Sequence, residues 1–355
     1  MGHAARYVDS CYAGMRDDVA RTTAYRNAII AAVTPEDIVL DIGTGALALL
    51  AIFAAEAGAE HVYAFEVNIE AAIAARAAVA KAGFADRITI LDGFSTSRDV
   101  TIPRKATIVI HELIGDVGGE EGVVAAIVDA RARHMRMDSS ASAPARSIPA
   151  RTRTLIAPCE YPDVDYCRHV AAPLLEGPGQ SKALKLQNVP DRTRLAPPET
   201  FEDLRFEKLR PEVLQRVELT FVAARPGVWR GLLLHVELFV GVDSGDDVAP
   251  EVSSAWSGSH WSQVLLLFDT GVVIQEGQSM RVRARAELAG PQPRYEFEAA
   301  TLEETRLNSG DGACASSGGT TSPSRMWKIL GTLHYPEAAL NVNDMADVIM
   351  DQFAP

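Results

Sequence analysis

The chain has 355 residues, of which 47% are apolar and 23% charged, and its formal net charge is −13. That length accommodates about two domains, or one large one, with a sizeable core. The negative balance weighs against a nucleic-acid partner held by phosphate neutralisation and favours a basic peptide or a cationic small molecule.

Taken in chain order, Val19, Thr22, Tyr25 and Ile29 recur at helical spacing, which predicts a helix over 15–32. Ile38 to Ile42 is a short apolar run stopped by Gly43, the pattern of a buried strand. Leu47 to Ala57 and Ile69 to Ala82 are Ala-rich, unbroken and closed by Gly58 and Gly83, so both are expected to be helices. His61 to Glu66, Arg87 to Leu91 and Thr107 to Ile110 read as further strands. Strands alternating with helices predict an α/β fold with a doubly wound, mostly parallel Rossmann-like sheet. A polar, Pro-containing stretch at 138–149 ends this pattern. Beyond it the strand-like runs 152–157, 217–223, 232–242, 263–268 and 280–288 predict an antiparallel β-barrel-like domain. The expected domains are therefore 1–147 and 148–355. Within the second, 172–205 is a candidate dimerisation arm, and the Ser/Gly/Thr-rich 308–324 a flexible loop.

Cys11, Cys159, Cys167 and Cys314 show neither a CxxC pair nor metal-ligand spacing. Reduced thiols, a cytoplasmic location and no metal are expected. The longest apolar run, near Ala46 to Ala55, is too short to span a bilayer, no signal peptide is evident, and no membrane partner is expected.

Two constellations carry chemistry. The run Val39-Leu-Asp41-Ile-Gly43-Thr-Gly45 takes a strand into a glycine turn and a helix, where backbone can approach a ligand and free N–H groups face an anion. Glu66 ends the next strand, where an acid can accept both ribose hydroxyls of a dinucleotide or any adenosine ligand. The second is Glu112-Leu-Ile-Gly-Asp-Val-Gly-Gly-Glu120-Glu121. A strand that ends in one carboxylate and loops back through glycines to another can aim both at a planar cation, and a guanidinium donates to carboxylates two N–H groups at a time. Alternatively, Glu120 and Glu121 simply cap a helix beginning near Gly122.

In order, these residues resemble the protein arginine methyltransferases, class I enzymes that use S-adenosylmethionine. The match includes Met15-Arg-Asp-Asp-Val-Ala-Arg21 with Tyr25, Asp41 to Gly45, Glu66, the acid pair Glu112 and Glu121, and Ser259-His260-Trp261. Leu113 after the first acid, and Tyr63-Ala-Phe-Glu-Val, lean toward the type III-like, monomethylating branch. The chain departs from the family at His111, where Ser or Thr is usual, and at Ala46 to Ala48, where a third glycine is usual near position 47.

The resemblance implies that S-adenosylmethionine, leaving as S-adenosylhomocysteine, is held by Met15, Arg21, Asp41, Gly43, Gly45, Glu66, Ser95 and Thr96. Arg21 would take the cofactor's carboxylate, and Ser95 and Thr96 the adenine edge. It also implies that Glu112 and Glu121 grip the substrate guanidinium, that Asp18 pairs with His260 in a proton relay, and that Trp261 lines the guanidine channel. Asp17 beside Asp18 leaves open which of the two faces inward. The expected substrate is arginine in a basic protein or peptide, and the expected assembly a homodimer. The alternatives are a methyltransferase for free arginine or another guanidino or amine metabolite, and a non-catalytic homologue that binds a partner.

Overall fold

The computed structural model describes residues 15, 17–136, 146–162, 168–171, 183–210, 214–242, 245, 248–290, 292–302 and 323–331. Its first unit runs α1 (Val19–Ala32), β1 (Ile38–Ile42), α2 (Leu49–Glu56), β2 (His61–Glu66), α3 (Ile69–Lys81), β3 (Ile88–Asp92), β4 (Ile108–His111), α4 (Val123–Arg133) and β5 (Arg146–Ile148). The five strands lie in the order β3-β2-β1-β4-β5, and every pairing is parallel. All residues of β1 and β4 are buried, as expected of strands covered on both faces. Strand order reverses between β1 and β4. The crevice beyond their carboxyl ends is where open α/β sheets bind ligands.

Local signals set the helix ends. Asp18 caps α1 by accepting from Arg21 N; Met15 and Asp17 are helical as expected, but the chain leaves the helix at Asp18 and α1 starts afresh at Val19. Asn68 caps α3 through Glu70 N and Ala71 N at 2.9 and 3.1 Å. α4 opens at Gly122 with φ 79° and no side-chain cap bond, so neither Glu120 nor Glu121 serves as its cap.

The second unit contains β6 (Arg151–Cys159), β7 (Arg168–Ala171), β8 (Ala183–Gln187), β9 (Glu199–Arg205), β10 (Leu214–Val222), β11 (Gly227–Phe239), β12 (Val252–Ser253), β13 (Gln263–Ile274), β14 (Ser279–Glu287), β15 (Arg294–Leu302) and β16 (Pro323–Gly331). They form two antiparallel sheets. The larger follows β7-β8-β13-β11-β6-β9 with β12 beside β11, and the smaller β10-β14-β15-β16. Phe201 of β9 packs edge-on against Tyr295 and Phe297 of β15, at ring separations of 6.3 and 5.4 Å, and so joins the two sheets through a shared core.

Two boundaries differ from expectation. The break expected between 147 and 148 falls inside β5, because Ile148 is fully buried in the first sheet and the second unit begins at Arg151. The candidate arm at 172–205 is, from Ala183 on, part of the larger sheet: β8 pairs with β13, β9 pairs with β6, and Leu184, Leu186, Phe201 and Leu204 are buried there. Residues 172–182 lie outside the described residues, as does the expected loop from 308 to 322, and Pro323 begins β16. Among the described residues no helix is long and apolar enough to cross a membrane.

Trp229 is fully buried on β11, meets Phe268 edge-on at 5.2 Å and donates from Nε1 to Gly231 O at 2.9 Å. Trp229→Ala is expected to cost about 3–5 kcal/mol, seen as a lower denaturant midpoint for the barrel-like unit.

Candidate active site

The glycine turn sits at the end of β1. Gly43 and Gly45 take φ of 78° and 67°, conformations that glycine adopts without strain. The N–H groups of Gly43 and Thr44 both donate to Phe65 O at 3.0 Å, which folds the turn back over β2. Glu66 is buried at the end of β2 and accepts from Gly45 N and Asn68 N, both at 2.8 Å. Asp41 is fully buried and neither oxygen has a hydrogen-bond partner at good distance and angle. Burial pushes its carboxyl up to about 7. Ala48, at the start of α2, takes a φ of 45°, in the left-handed region. Holding alanine there costs roughly 1–2 kcal/mol.

Glu112 leaves the end of β4 beside this turn. Leu113 packs so closely over Gly43 that a Cβ on that glycine would lie 2.9 Å from Leu113 Cδ2. Glu112 Oε2 accepts from Arg21 Nη2 at 2.9 Å, and both side chains are nearly buried, at 9% and 6% exposure. The Arg21 guanidinium also lies over the Tyr25 ring at 5.5 Å and donates from Nη1 to Met15 O at 3.4 Å. Arg21 Nε is buried and unpartnered. Although burial acts to lower it, the charges of Glu112 and Tyr25 leave the Arg21 guanidinium held more firmly in its charged form.

The two adjacent acids at the loop's other end have separate positions. Glu120 turns back against Gly115 and its Oε1 accepts from Asp116 N at 2.7 Å, closing the loop upon itself. Glu121 makes no hydrogen bond among the described residues and its side chain is open to solvent. Crowding by the surrounding protein, then the charges of Glu112 and Glu120, push its carboxyl up to about 8. Glu112 thus acts electrostatically on Glu121, whereas Glu120 props the loop.

Asp18 is buried and Asp17 exposed, so Asp18 is the inward-facing acid. Asp18 Oδ2 accepts from His260 N and meets His260 Nδ1, both at 2.9 Å, while Oδ1 caps α1. Burial alone would raise the Asp18 carboxyl, but the hydrogen bonds from His260 and Arg21 outweigh it and leave the group below its ordinary value. Trp261 lies against His260 at 3.9 Å, is buried, and donates from Nε1 to Ile114 O at 2.7 Å. Its ring therefore braces the acid loop. Ser95 is buried, its carbonyl accepting from Arg133 and His134, and Thr96 is exposed.

Several residues of this site carry no sequence signal. Gly118 N donates to Thr154 Oγ1 at 2.9 Å and Gly119 N to Glu202 Oε2 at 3.2 Å. Glu202 is fully buried and also accepts from Thr154 Oγ1 at 2.6 Å and Tyr295 Oη at 3.1 Å. Lys185 reaches Asp116 Oδ2 at 2.6 Å, and Ser262 N donates to Asp116 Oδ1 at 2.6 Å. All these groups come from barrel strands or the turn before β13, and only folding brings them to the loop.

No family model matches the chain. In sequence it is similar to a "Probable histone-arginine methyltransferase 1.3" of Arabidopsis thaliana, 37% identical over 123 residues, which are 34% of this chain and 22% of that protein. It also resembles a "Probable protein arginine N-methyltransferase 6" of the same plant, 29% identical over 163 residues, 44% of this chain and 35% of that protein. A "Protein arginine N-methyltransferase 7" of Danio rerio is 40% identical over 114 residues, 29% of this chain and 16% of that protein. The chain thus matches only about a third or less of the length of these relatives. Solved structures align over nearly the whole chain. The Trypanosoma brucei PRMT1 enzyme–prozyme heterotetrameric complex with AdoHcy aligns with a TM-score of 0.63 at 18% identity, over 90% of this chain and 97% of that one. Arabidopsis thaliana protein arginine methyltransferase 10, in an open conformation, aligns with a TM-score of 0.65 at 16% identity, over 91% and 97%.

The chain has the protein arginine methyltransferase fold. Within that fold the crevice at the β1–β4 reversal, the acid loop and the His260 turn occupy one neighbourhood shared by both units.

A Cβ on Gly119 would lie 2.9 Å from Glu202 Oε1 and 3.0 Å from Tyr295 Oη. Gly119→Ala is expected to displace the loop and cost about 1–3 kcal/mol, read as a lower melting temperature. Because the folded Asp18 value is depressed, its contribution is complete above the ordinary carboxylate value and is lost as pH falls through the folded one. Wild type and Asp18→Asn should therefore differ in melting temperature at neutral pH and converge only in acid.

Proposed function

We propose that the protein transfers a methyl group from S-adenosylmethionine to a guanidino nitrogen of arginine in a basic protein or peptide. The observation that carries this reading is the pair Glu112 and Glu121: one acid anchored to Arg21 next to the residue that packs on Gly43, the other without a hydrogen bond among the described residues and within the electrostatic reach of the first. The sequence likeness to arginine methyltransferases and the shared fold support it.

The residues present fit the cofactor. Gly43 and Gly45 hold the left-handed turn at the end of β1, and Glu66 stands at the end of β2 for ribose hydroxyls. Arg21 offers a carboxylate its charge and the spare buried Nε–H, and Met15 lies against it. Ser95 and Thr96, beyond β3, are assigned to the adenine edge. When bound, S-adenosylmethionine supplies an electrophilic methyl group.

The chain's own groups do the rest. Glu112 keeps Oε2 on Arg21 and has Oε1 for a substrate N–H, while Glu121 brings the facing oxygens. Together they fix the plane of the guanidinium and offset its repulsion from a second cation. Asp18 holds the His260 Nδ1 proton, which leaves Nε2 to accept the proton released from the substrate. Trp261 shapes the wall through Ile114. The cytoplasmic location and a homodimer belong to the proposal. The heterotetrameric assembly of the trypanosomal neighbour supports association of some kind, and the homodimer is the form proposed here.

The test is mass spectrometry with isotope-labelled S-adenosylmethionine on Arg/Gly-rich histone-like peptides, against free arginine and guanidino metabolites. Label on the peptide guanidine is the expected result, with one methyl per arginine if the monomethylating resemblance holds. Label only on a metabolite would move the reading to small-molecule methylation, and no label to the partner-binding one. Glu121→Gln should lower transfer by about 10²–10³-fold while leaving S-adenosylhomocysteine binding intact. Glu112→Gln should lower both, because it also strips Arg21 of its partner. The raised Glu121 is protonated below its folded value and ionised above it, so kcat/KM should climb with pH toward a limb at about 8 and lose that limb in Glu121→Gln.

A further inference from the structure

We propose that Lys185 is a positioning residue for the arginine-holding acids, tying the acid loop to the barrel through Asp116 and supplying the positive charge around which that loop folds. The inference rests on the proposed function for what the acids hold, and on geometry for the rest. Strand alternation sends Leu184 and Leu186 of β8 into a small apolar cluster with Cys159, Leu233 and Leu265, which places Lys185 on the opposite face. There it is 8% exposed, and its Nζ lies 2.6 Å from Asp116 Oδ2. Asp116 is itself buried; it accepts from Ser262 N through Oδ1 and donates its own N–H to Glu120 Oε1 at 2.7 Å. A line of direct contacts therefore runs from β8 through Asp116 to Glu120, whose neighbour is Glu121.

The charges around this line give Lys185 its weight. The loop contributes Glu112, Asp116, Glu120 and Glu121. Facing them, β9 brings Glu202 and β15 brings Tyr295, which adds no positive charge. On the α1 side, Arg21 is committed to Glu112, and Asp18 holds His260. Lys185 is the cation whose charge opposes the upward push on both Glu120, held near 8, and Glu121. Asp116 acts on both in the opposite sense. A buried lysine in an apolar strand is expensive unless paired, and a strut alone would be served as well by an apolar side chain. A charge that sets the proton count of the acids gives a reason for an amine there.

The test uses the full chain and two readouts. The infrared band of protonated carboxyl groups, assigned through its loss in Glu120→Gln and Glu121→Gln, is titrated in the protein alone. The pH profile of methyl transfer is measured in parallel. Lys185→Met should move the carboxyl titration and the acid limb of kcat/KM upward by about one pH unit, with S-adenosylhomocysteine binding unchanged. Lys185→Arg should restore both. Asp116→Asn keeps an acceptor for Ser262 N but removes the opposing charge, so it should move the titration downward, and it serves if Lys185→Met does not fold. An unmoved titration in Lys185→Met, or an upward or absent shift in Asp116→Asn, overturns the inference. If the infrared titrations behave as expected while the wild type methylates no guanidino compound, the functional reading falls and the electrostatic role of Lys185 stands.

Discussion

Four carboxyl groups, Glu112, Asp116, Glu120 and Glu121, lie within ten residues of one loop, and each has to be held against the repulsion of the others. Like charges in a poorly solvated site repel strongly, so the arrangement persists through four different answers. Glu112 takes a guanidinium, Asp116 an ammonium and a backbone N–H, and Glu120 the N–H of its own loop. Glu121 is left with water and a raised proton affinity. Among the described residues it is the one acid of the four without a hydrogen bond. On the proposed function, a guanidinium held there would relieve that repulsion, which would couple binding to proton release.

That loop belongs to neither domain alone. Its start is fixed by β4 and by the contact of Leu113 with Gly43; its middle rests on Trp261, Ser262 and Lys185; its double glycine lies on the Glu202–Thr154–Tyr295 network. Gly118 and Gly119 are needed here for closeness of approach, because a Cβ on either would press on the Glu202 carboxyl. Each hydrogen bond contributes about 1 kcal/mol, but a buried polar network gains rigidity from being satisfied as a whole. The α1 cap adds a further tie, since the carboxyl of Asp18 that starts the helix also holds the His260 turn.

How far this was legible in the chain depends on the kind of signal. Glycine turns and unbroken apolar runs announced the parallel sheet, because both are local demands of backbone conformation and burial. The strands β8 and β9 were hidden in a segment rich in Pro, Leu and charge, where Leu184 and Leu186 alternate for too few residues to stand out. Asp17 and Asp18 were indistinguishable until α1 chose its first residue. Glu120 and Glu121 were likewise a pair of neighbours whose division of labour depends on which one turns toward Asp116 N.

The sequence by itself determined the alternation of helices and strands up to β4, the glycine turn, the acid at the end of β2 and the spacing of Glu112 and Glu121, because these follow from short-range sterics, capping and hydrophobic period. Only the tertiary structure decided that Lys185, Glu202 and Tyr295 support the acid loop, that Ala48 takes the left-handed turn, and that Arg21 already holds Glu112. Those choices depend on which strand faces which loop across two sheets, and a charged or polar residue in a strand gives no sign of its partner until the chain has folded.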